Sequence, residues 1–161
     1  MSGVYAKETS VPVERSRAEI EKLLRKYGAD QFYSGWKDQA AAIGFRIKNR
    51  YCKFILPLPK ADEKRFTHFK RGRSFTSWIP RSPSAAKEAY EQEVRRRWRA
   101  LALVIKAKLE AVESGITTFE HEFMAHFVMP DGKTFAEHAM PAIEQAYATG
   151  KVPALLPGLS E

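Results

Sequence analysis

One long apolar stripe constrains the fold of this chain more than any other feature of its sequence. It advances in steps of three and four residues without a break, and its members are Tyr90, Val94, Trp98, Leu101, Ile105, Leu109 and Val112. That spacing keeps every member on one face of an α-helix. Pro83 suits a first helical turn, and Gly115 suits a helix end. The pattern predicts a helix over about residues 84–114, about 45 Å long, which forms the spine of the fold.

A shorter amphipathic helix is predicted near the N-terminus. Ser16 and Glu19 have the spacing of a capping box, in which each side chain bonds the other residue's backbone N–H. Apolar residues then recur at helical spacing up to Gly28, which suits the left-handed conformation that ends many helices. We therefore predict a helix over residues 17–27.

Between the two helices the apolar period changes from helical to alternating. β-forming residues fill about residues 32–56, with turn signals near Asp38 and Asn49, so we predict a three-stranded antiparallel meander. Successive side chains of a strand point to opposite faces. The second strand therefore turns apolar residues to the core, and it turns Arg46 and Lys48 to solvent. Its predicted core residues are Ile43, Phe45 and Ile47.

Two more capping boxes follow the spine helix, and each predicts the start of a C-terminal helix. They pair Thr117 with Glu120 and Thr134 with Glu137. Gly150 suits the end of the second helix.

These elements define an α+β fold: a short N-terminal helix, a three-stranded antiparallel meander, a long spine helix and two shorter C-terminal helices. A length of 161 residues suits one domain. We predict a single domain over residues 1–161, with an N-terminal arm at 1–14, a basic loop at 60–83 and an extended tail at 150–161.

The cysteine content and the hydropathy pattern indicate the cellular compartment. Cys52 is the single cysteine, so no internal disulfide can form, and no charged leader with an apolar run opens the sequence. The longest apolar run is far shorter than the roughly 18 residues of a membrane span. We expect a cytoplasmic protein with no membrane partner.

Positive charge is concentrated in the middle of the chain. Residues 44–108 hold 18 basic and five acidic residues, whereas residues 109–161 hold two basic and eight acidic residues. A basic surface of this kind attracts polyanions. The alternative is that these lysines and arginines only solvate exposed faces.

The strongest local pattern lies in residues 64–81, where cations alternate with aromatic residues. Cations neutralise phosphates, and exposed aromatic rings stack on unpaired bases. The alternative is that the aromatic residues anchor the loop to the core. A second cluster, at residues 95–99, either grips phosphates or pairs with the acidic C-terminal helices. The predicted nucleic-acid-binding residues are Arg46, Lys48, Lys64, Arg65, Phe69, Lys70, Arg71, Arg73, Phe75, Arg81, Arg95, Arg96 and Arg99.

Neither a metal site nor a catalytic site is predicted. His121 and His126 are five residues apart, whereas the zinc-protease helix needs histidines at i and i+4. Cys52 lies inside a predicted strand, where a buried structural thiol is the usual interpretation. No G-x-S-x-G motif occurs. We therefore expect no cofactor and no enzyme activity.

Several segments resemble a small family of uncharacterised proteins from bacteriophages and prophages. They are Ser10-Val11-Pro12-Val13, Arg25 to Asp30, Ala42 to Arg46, Phe54 to Pro59 and especially Arg97 to Ile116. The resemblance implies a phage or mobile-element setting and brings no established active site. The chain departs from the family in residues 60–83, which are longer and more basic. The order β-β-β-α also resembles the core of single-strand annealing proteins, and α-β-β-β-α is the order of double-stranded RNA-binding domains.

Together these patterns predict a non-enzymatic nucleic-acid-binding protein of phage or prophage type. It would contact phosphates, stack bases and favour single strands, in replication, recombination or regulation. The alternative is a protein-binding modulator or inhibitor of a host or phage complex, acting as a nucleic-acid mimic through its acidic C-terminal part.

Overall fold

The computed structural model describes residues 9–72 and 77–154. Their helices are α1 (Val13–Lys26), α2 (Lys64–Thr67), α3 (Pro83–Glu113), α4 (Phe119–Phe123) and α5 (Phe135–Thr149). Their strands are β1 (Gln31–Lys37), β2 (Ala40–Ile47), β3 (Arg50–Pro57), β4 (His68–Lys70) and β5 (Trp78–Pro80). The predicted α+β class is confirmed, as are the meander, the long helix and the C-terminal helices.

Helix α3 is the predicted spine helix, and its bounds differ from the prediction by one residue. Pro83 occupies the first turn, and the Ser82 hydroxyl accepts a hydrogen bond from the backbone N–H of Ala85 at 3.3 Å. Gly115 follows the helix with a φ of 74°, a left-handed conformation that costs glycine little. Trp98 is buried at the centre of the stripe.

Helix α1 begins four residues earlier than predicted, so the Ser16–Glu19 capping box is wrong. The Ser16 backbone N–H already bonds the Pro12 carbonyl at 3.2 Å, which places Ser16 inside the first turns. Its side chain is buried, and its hydroxyl has no hydrogen-bond partner among the described residues. The helix ends before Gly28, as predicted, with Gly28 at a φ of 97°.

The meander has the strand order β1-β2-β3, and its inner face is the predicted one. Ile43, Phe45 and Ile47 are all buried. Lys48 and Asn49 have φ values of 50° and 59°, which define a tight two-residue turn between β2 and β3. Lys48 therefore lies in this turn. The alternating pattern predicts it on the solvent face of the strand, and that prediction is wrong.

The described parts of the segment 60–83, residues 60–72 and 77–83, are not the structureless loop that the sequence predicted. It contains helix α2 and then β4 and β5, which pair antiparallel. Lys70 lies opposite Trp78 in this two-stranded ribbon, and Phe69 lies opposite Ile79. Each strand has only three residues, which is too short to show an alternating pattern.

The caps of the C-terminal helices are partly as predicted. Thr118, and not Thr117, caps α4, because its hydroxyl accepts a hydrogen bond from the backbone N–H of His121 at 3.2 Å. The capping box of Thr134 and Glu137 is present at the start of α5. Gly150 ends α5 in the left-handed conformation.

The described residues divide into two compact units. Of the described residues, the first unit draws on 9–23, 35–42, 55–72 and 77–106, and the second on 24–34, 43–54 and 107–154. Buried apolar residues of the first unit are Ile20, Ala41, Phe66, Trp98, Leu101, Ala102 and Ile105. Those of the second are Leu24, Ile43, Phe45, Ile47, Cys52, Phe54, Leu109, Phe119, Phe123 and Ala139. The single domain over 1–161 stays a prediction.

None of the helices within residues 9–72 and 77–154 is long and apolar enough to cross a membrane.

Candidate nucleic-acid interface

The two-stranded ribbon of the first unit brings cations and an exposed indole ring together. The ammonium nitrogen of Lys70 lies 4.9 Å from the centroid of the Trp78 ring, and that of Lys64, from α2, lies 5.3 Å from the same centroid. These distances are those of cation–π contacts. The Trp78 residue is 36% exposed. Trp78 is therefore partly in solvent, with two positive charges over its ring.

A second exposed ring lies on the same ribbon. Phe69 is 37% exposed, and the guanidinium of Arg81 lies 5.6 Å from its centroid. Arg81 is held there because its Nε donates to the His68 carbonyl at 3.3 Å and its backbone N–H donates to the Thr67 carbonyl at 2.7 Å. The register places Lys70 and Trp78 on one face of the ribbon and Phe69 on the other, so each face presents one aromatic ring with a cation near it.

The sequence left two roles open for the aromatic residues of the segment 64–81: anchoring to the core and stacking on bases. The structure places different residues in positions that suit each role. Phe66 is buried and packs edge-on against Tyr90, with ring centroids 5.7 Å apart, so it anchors the segment to α3. Phe69 and Trp78 are exposed instead. Phe75 and Arg73, which the sequence also nominated, lie outside the described residues.

The cations of the segment differ in how much of their charge is already balanced. Arg65 bonds Glu63 at 2.7 Å and lies 3.8 Å from Glu93, so it is part of an ion-pair group. Lys64, Lys70 and Arg71 are exposed and make no ion pair with the residues that the structure describes. We call this group of residues the basic ribbon, counting both of its faces: Lys64, Phe69, Lys70, Arg71, Trp78 and Arg81.

The arginines of the spine helix are balanced by acids within the first unit. Arg95 bonds Glu88 at 2.6 Å, Arg96 bonds Glu93 at 2.6 Å, and Arg99 bonds Glu19. None of these three acids belongs to the C-terminal helices that the sequence suggested as partners.

Glu93 is the centre of this arrangement. Its carboxylate also accepts from Arg97 at 2.9 Å. Hydrogen bonds from Arg96 and then Arg97, with the charges of both arginines, lower the Glu93 pKa from 4.5 to about 2 against the opposing effect of burial. The arginines are thus bound to their carboxylates, and their charge is less available to a phosphate than that of the basic ribbon.

In the second unit, Arg46 and Lys48, which the sequence predicts as nucleic-acid-binding residues, differ in whether an acid balances their charge. Arg46 donates from Nε to Asp30 Oδ1 at 2.8 Å and from Nη2 to Oδ2 at 2.5 Å. This bidentate pairing lowers the pKa of Asp30. Lys48 is exposed in its turn and has no ion-pair partner among the described residues.

The side chains considered for metal or acid–base chemistry are packed against aromatic residues, ion-paired or buried. The His126 ring stacks on Phe54 with centroids 3.8 Å apart, and burial, followed by the charge of Lys108, lowers its pKa. Glu122 accepts from Lys108 at 2.9 Å. Burial raises the pKa of the Cys52 thiol to about 12. Within the described ranges, no group of three or more His, Cys, Asp or Glu side chains could hold a metal ion.

A groove in the first unit, between residues 9–14 and the first turns of α3, has a volume of about 770 Å³. Its charged lining includes Glu14, Glu88 and Glu91. Carboxylates repel phosphate, so we do not include this groove in the interface.

Trp78 is the residue that the candidate set omitted although its geometry is central. The signal was its place between the cations of residues 64–81, two residues before Pro80. Tyr33 and Tyr51, both exposed on the meander, were also omitted.

Comparison of the chain with protein-family models, curated proteins and solved structures found no match.

Proposed function

We propose that this protein binds nucleic acid through the basic ribbon, acting as a binding protein without catalysis. Lys64, Lys70 and Arg71 contact phosphates, and Trp78 and Phe69 offer stacking surfaces to unpaired bases. The observation that carries this proposal is the position of the Trp78 ring, which is exposed and has two ammonium groups about 5 Å away. Stacking and phosphate contact are the two interactions that single-strand binders combine.

The proposed contacts favour backbone and stacking over base readout. An ammonium group is a point charge that neutralises phosphate without reading a base edge. Stacking on an aromatic ring tolerates every base. We therefore propose binding with little sequence preference, stronger for single strands than for duplex, because the bases of a duplex are already stacked.

Charge removal on the basic ribbon tests this function. The variant Lys64→Gln, Lys70→Gln, Arg71→Gln should weaken binding of a labelled single strand and lower the slope of log affinity against log salt by up to about two units. Binding is measured by fluorescence anisotropy at several salt concentrations. The change should leave thermal stability near that of the wild type, because exposed charges contribute little to folding.

A matched control separates a local site from general attraction. Arg17→Gln, Lys22→Gln and Lys106→Gln remove the same charge from exposed positions of α1 and α3. This control should retain most of the affinity. Equal loss in both variants would show that net charge, and not the ribbon, attracts the strand. Absence of binding by the wild type would refute the proposed function.

The resemblance to phage and prophage proteins supports a setting for this activity. We propose that it serves replication, recombination or regulation in a phage or mobile element, within the cytoplasm of the host.

One observation favours the alternative, a modulator that binds another protein through the C-terminal part. Met140, Ile143 and Tyr147 are exposed on α5, and their spacing of three and four residues places them on one helix face. Exposed apolar faces of this kind often bind partners. If the wild type binds neither single nor double strands, the protein-binding modulator becomes the favoured function. The double variant Tyr147→Ser, Met140→Ser should then lose binding of the partner.

A further inference from the structure

The outer face of the meander carries a second group of exposed aromatic residues, entirely within the second unit. Ile43, Phe45 and Ile47 of β2 point into the core, so Gly44 and Arg46 lie on the opposite face. Tyr33 of β1 contacts Gly44, and Tyr51 of β3 contacts Arg46. The two tyrosines are 51% and 45% exposed. Their rings therefore lie along the middle strand on the side that faces solvent.

Gly44 determines where the Tyr33 ring lies. A Cβ atom at position 44 would be 1.9 Å from Cζ and 2.0 Å from Cε1 of Tyr33, far inside van der Waals contact. The ring therefore lies directly across the backbone of β2, in space that only glycine leaves open. It covers Gly44, which is buried although it belongs to the outer face. The other side of the ring stays in solvent.

Arg46 positions the second ring. Its guanidinium is fixed by the two hydrogen bonds to Asp30, and its central carbon lies 5.6 Å from the centroid of the Tyr51 ring. Its Nη1 also donates to the Tyr51 hydroxyl at 3.4 Å. Because Asp30 balances its charge, Arg46 acts here as a positioning residue for Tyr51 and not as a phosphate contact.

Two unbalanced cations lie in or next to the turn that ends this face. Lys48 is in the tight turn after β2, and Arg50 begins β3 next to Tyr51. Both are exposed, and neither makes an ion pair with a described residue. Successive side chains of β3 point to opposite faces, so Arg50 is on the side of Cys52 and Phe54, opposite to Tyr51. The outer face thus combines two exposed rings with the free cation of Lys48 at its end, which are the components that single-strand binding requires.

We propose that this outer sheet face is a second nucleic-acid site, which stacks unpaired bases on Tyr33 and Tyr51 and neutralises phosphate with Lys48 in the turn at its end. The proposal rests on the proposed function, because it assigns a further surface to the same activity. Tyr33 lies over Gly44 and Tyr51 lies against Arg46, two residues further along β2, which is about 7 Å of strand length. That separation provides two distinct stacking positions.

The test compares base-dependent binding in tyrosine variants. The probe is a fluorescently labelled oligothymidylate of about 20 nucleotides, longer than the site of a single small fold. A second probe of the same length lacks bases at the central positions. Tyr33→Leu and Tyr51→Leu should each weaken binding of the complete strand by about five- to a hundredfold, the range measured for single stacked bases. They should leave the salt slope unchanged, and they should bind the abasic strand as the wild type does.

Gly44→Ala provides an independent variant that keeps both tyrosines. The added methyl group occupies the place of the Tyr33 ring, so the ring must swing away, which its terminal atoms can do without moving the backbone. The melting temperature should stay near that of the wild type, while affinity for the complete strand falls as in Tyr33→Leu. The matched control is Tyr147→Leu, which removes a tyrosine that is 90% exposed on α5. It should bind as the wild type does.

The outcomes separate this inference from the proposed function. If Tyr33→Leu and Tyr51→Leu bind both probes as the control does, while the ribbon variant is weakened, the sheet site is refuted and the proposed function stands. If loss of binding follows a lower melting temperature and affects both probes alike, the tyrosines are structural and the sheet site is again refuted. If the wild type binds neither probe, both proposals fail.

Discussion

Glu93→Gln tests the ion-pair group of the spine helix, and its expected cost follows from the environment of the carboxylate. The Glu93 side chain is 13% exposed and accepts hydrogen bonds from Arg96 and Arg97. These bonds and charges lower its pKa from 4.5 to about 2. The shift corresponds to about 3 kcal/mol of folding free energy at neutral pH. Glutamine resembles the protonated carboxyl group in shape, so the variant should lose about this amount.

The difference in unfolding free energy between the wild type and Glu93→Gln should decrease as the pH falls. A carboxyl group whose pKa is lowered by folding stabilises the protein above its unfolded pKa, and this stabilisation is lost as pH falls through the folded pKa. The advantage of wild type over Glu93→Gln should therefore be about 3 kcal/mol near pH 7 and about 1 kcal/mol near pH 3. Other carboxyl groups titrate equally in both proteins, so they cancel in the difference.

Urea unfolding followed by tryptophan fluorescence measures this difference, with the free energy of unfolding extrapolated to zero urea at each pH. A difference that is the same at both pH values would contradict the electrostatic origin of the effect. A difference near zero at neutral pH would show that Arg96 and Arg97 are not balanced by Glu93 and remain available to phosphate.

Two further predictions concern packing and capping. Trp98→Ala should lower the free energy of unfolding by about 3–5 kcal/mol, because it empties a buried position of the spine helix. Arg96→Ala should lower it by only about 1 kcal/mol. Equal costs in urea unfolding would contradict the assignment of the two faces. Thr134→Ala should cost about 1 kcal/mol in thermal unfolding, because it removes the hydroxyl that accepts from the Glu137 backbone N–H, while the backbone N–H of residue 134 still donates to the Glu137 carboxylate. Thr117→Ala, one residue from the α4 cap, should cost less than Thr118→Ala.

The parts of the fold that the sequence predicted correctly are those with long or local signals. The stripe of α3 persists over more than 20 residues, so no other structure could bury it. The Thr134–Glu137 box is decided by four neighbouring residues. The Ser16 box failed although its spacing is the same, because α1 extends back to Val13 and places the serine inside the helix. A capping pattern alone does not show whether a helix has already begun.

The segment 60–83 and the candidate interface were harder to predict because their geometry depends on residues distant in sequence. Strands of three residues, such as β4, have no readable period, and their pairing brings Lys70 next to Trp78 from eight residues away. Sequence composition located the cations. It did not show that Arg99 binds Glu19, 80 positions earlier, or that Gly44 leaves room for the Tyr33 ring. Charge balance and ring exposure are properties of the tertiary structure.

The burial of Cys52 gives this protein a built-in reporter. The thiol is 1% exposed, and its pKa of about 12 leaves almost no thiolate at neutral pH, so alkylating reagents should reach it only when the surrounding strand opens. Cys52 belongs to the second unit, whereas all three tryptophans, Trp36, Trp78 and Trp98, belong to the first. Labelling kinetics and intrinsic fluorescence therefore follow different units in one unlabelled, unmutated sample. Agreement between the two signals across a denaturation curve would mean that both units melt in one cooperative step, and a gap between them would give the order in which they melt.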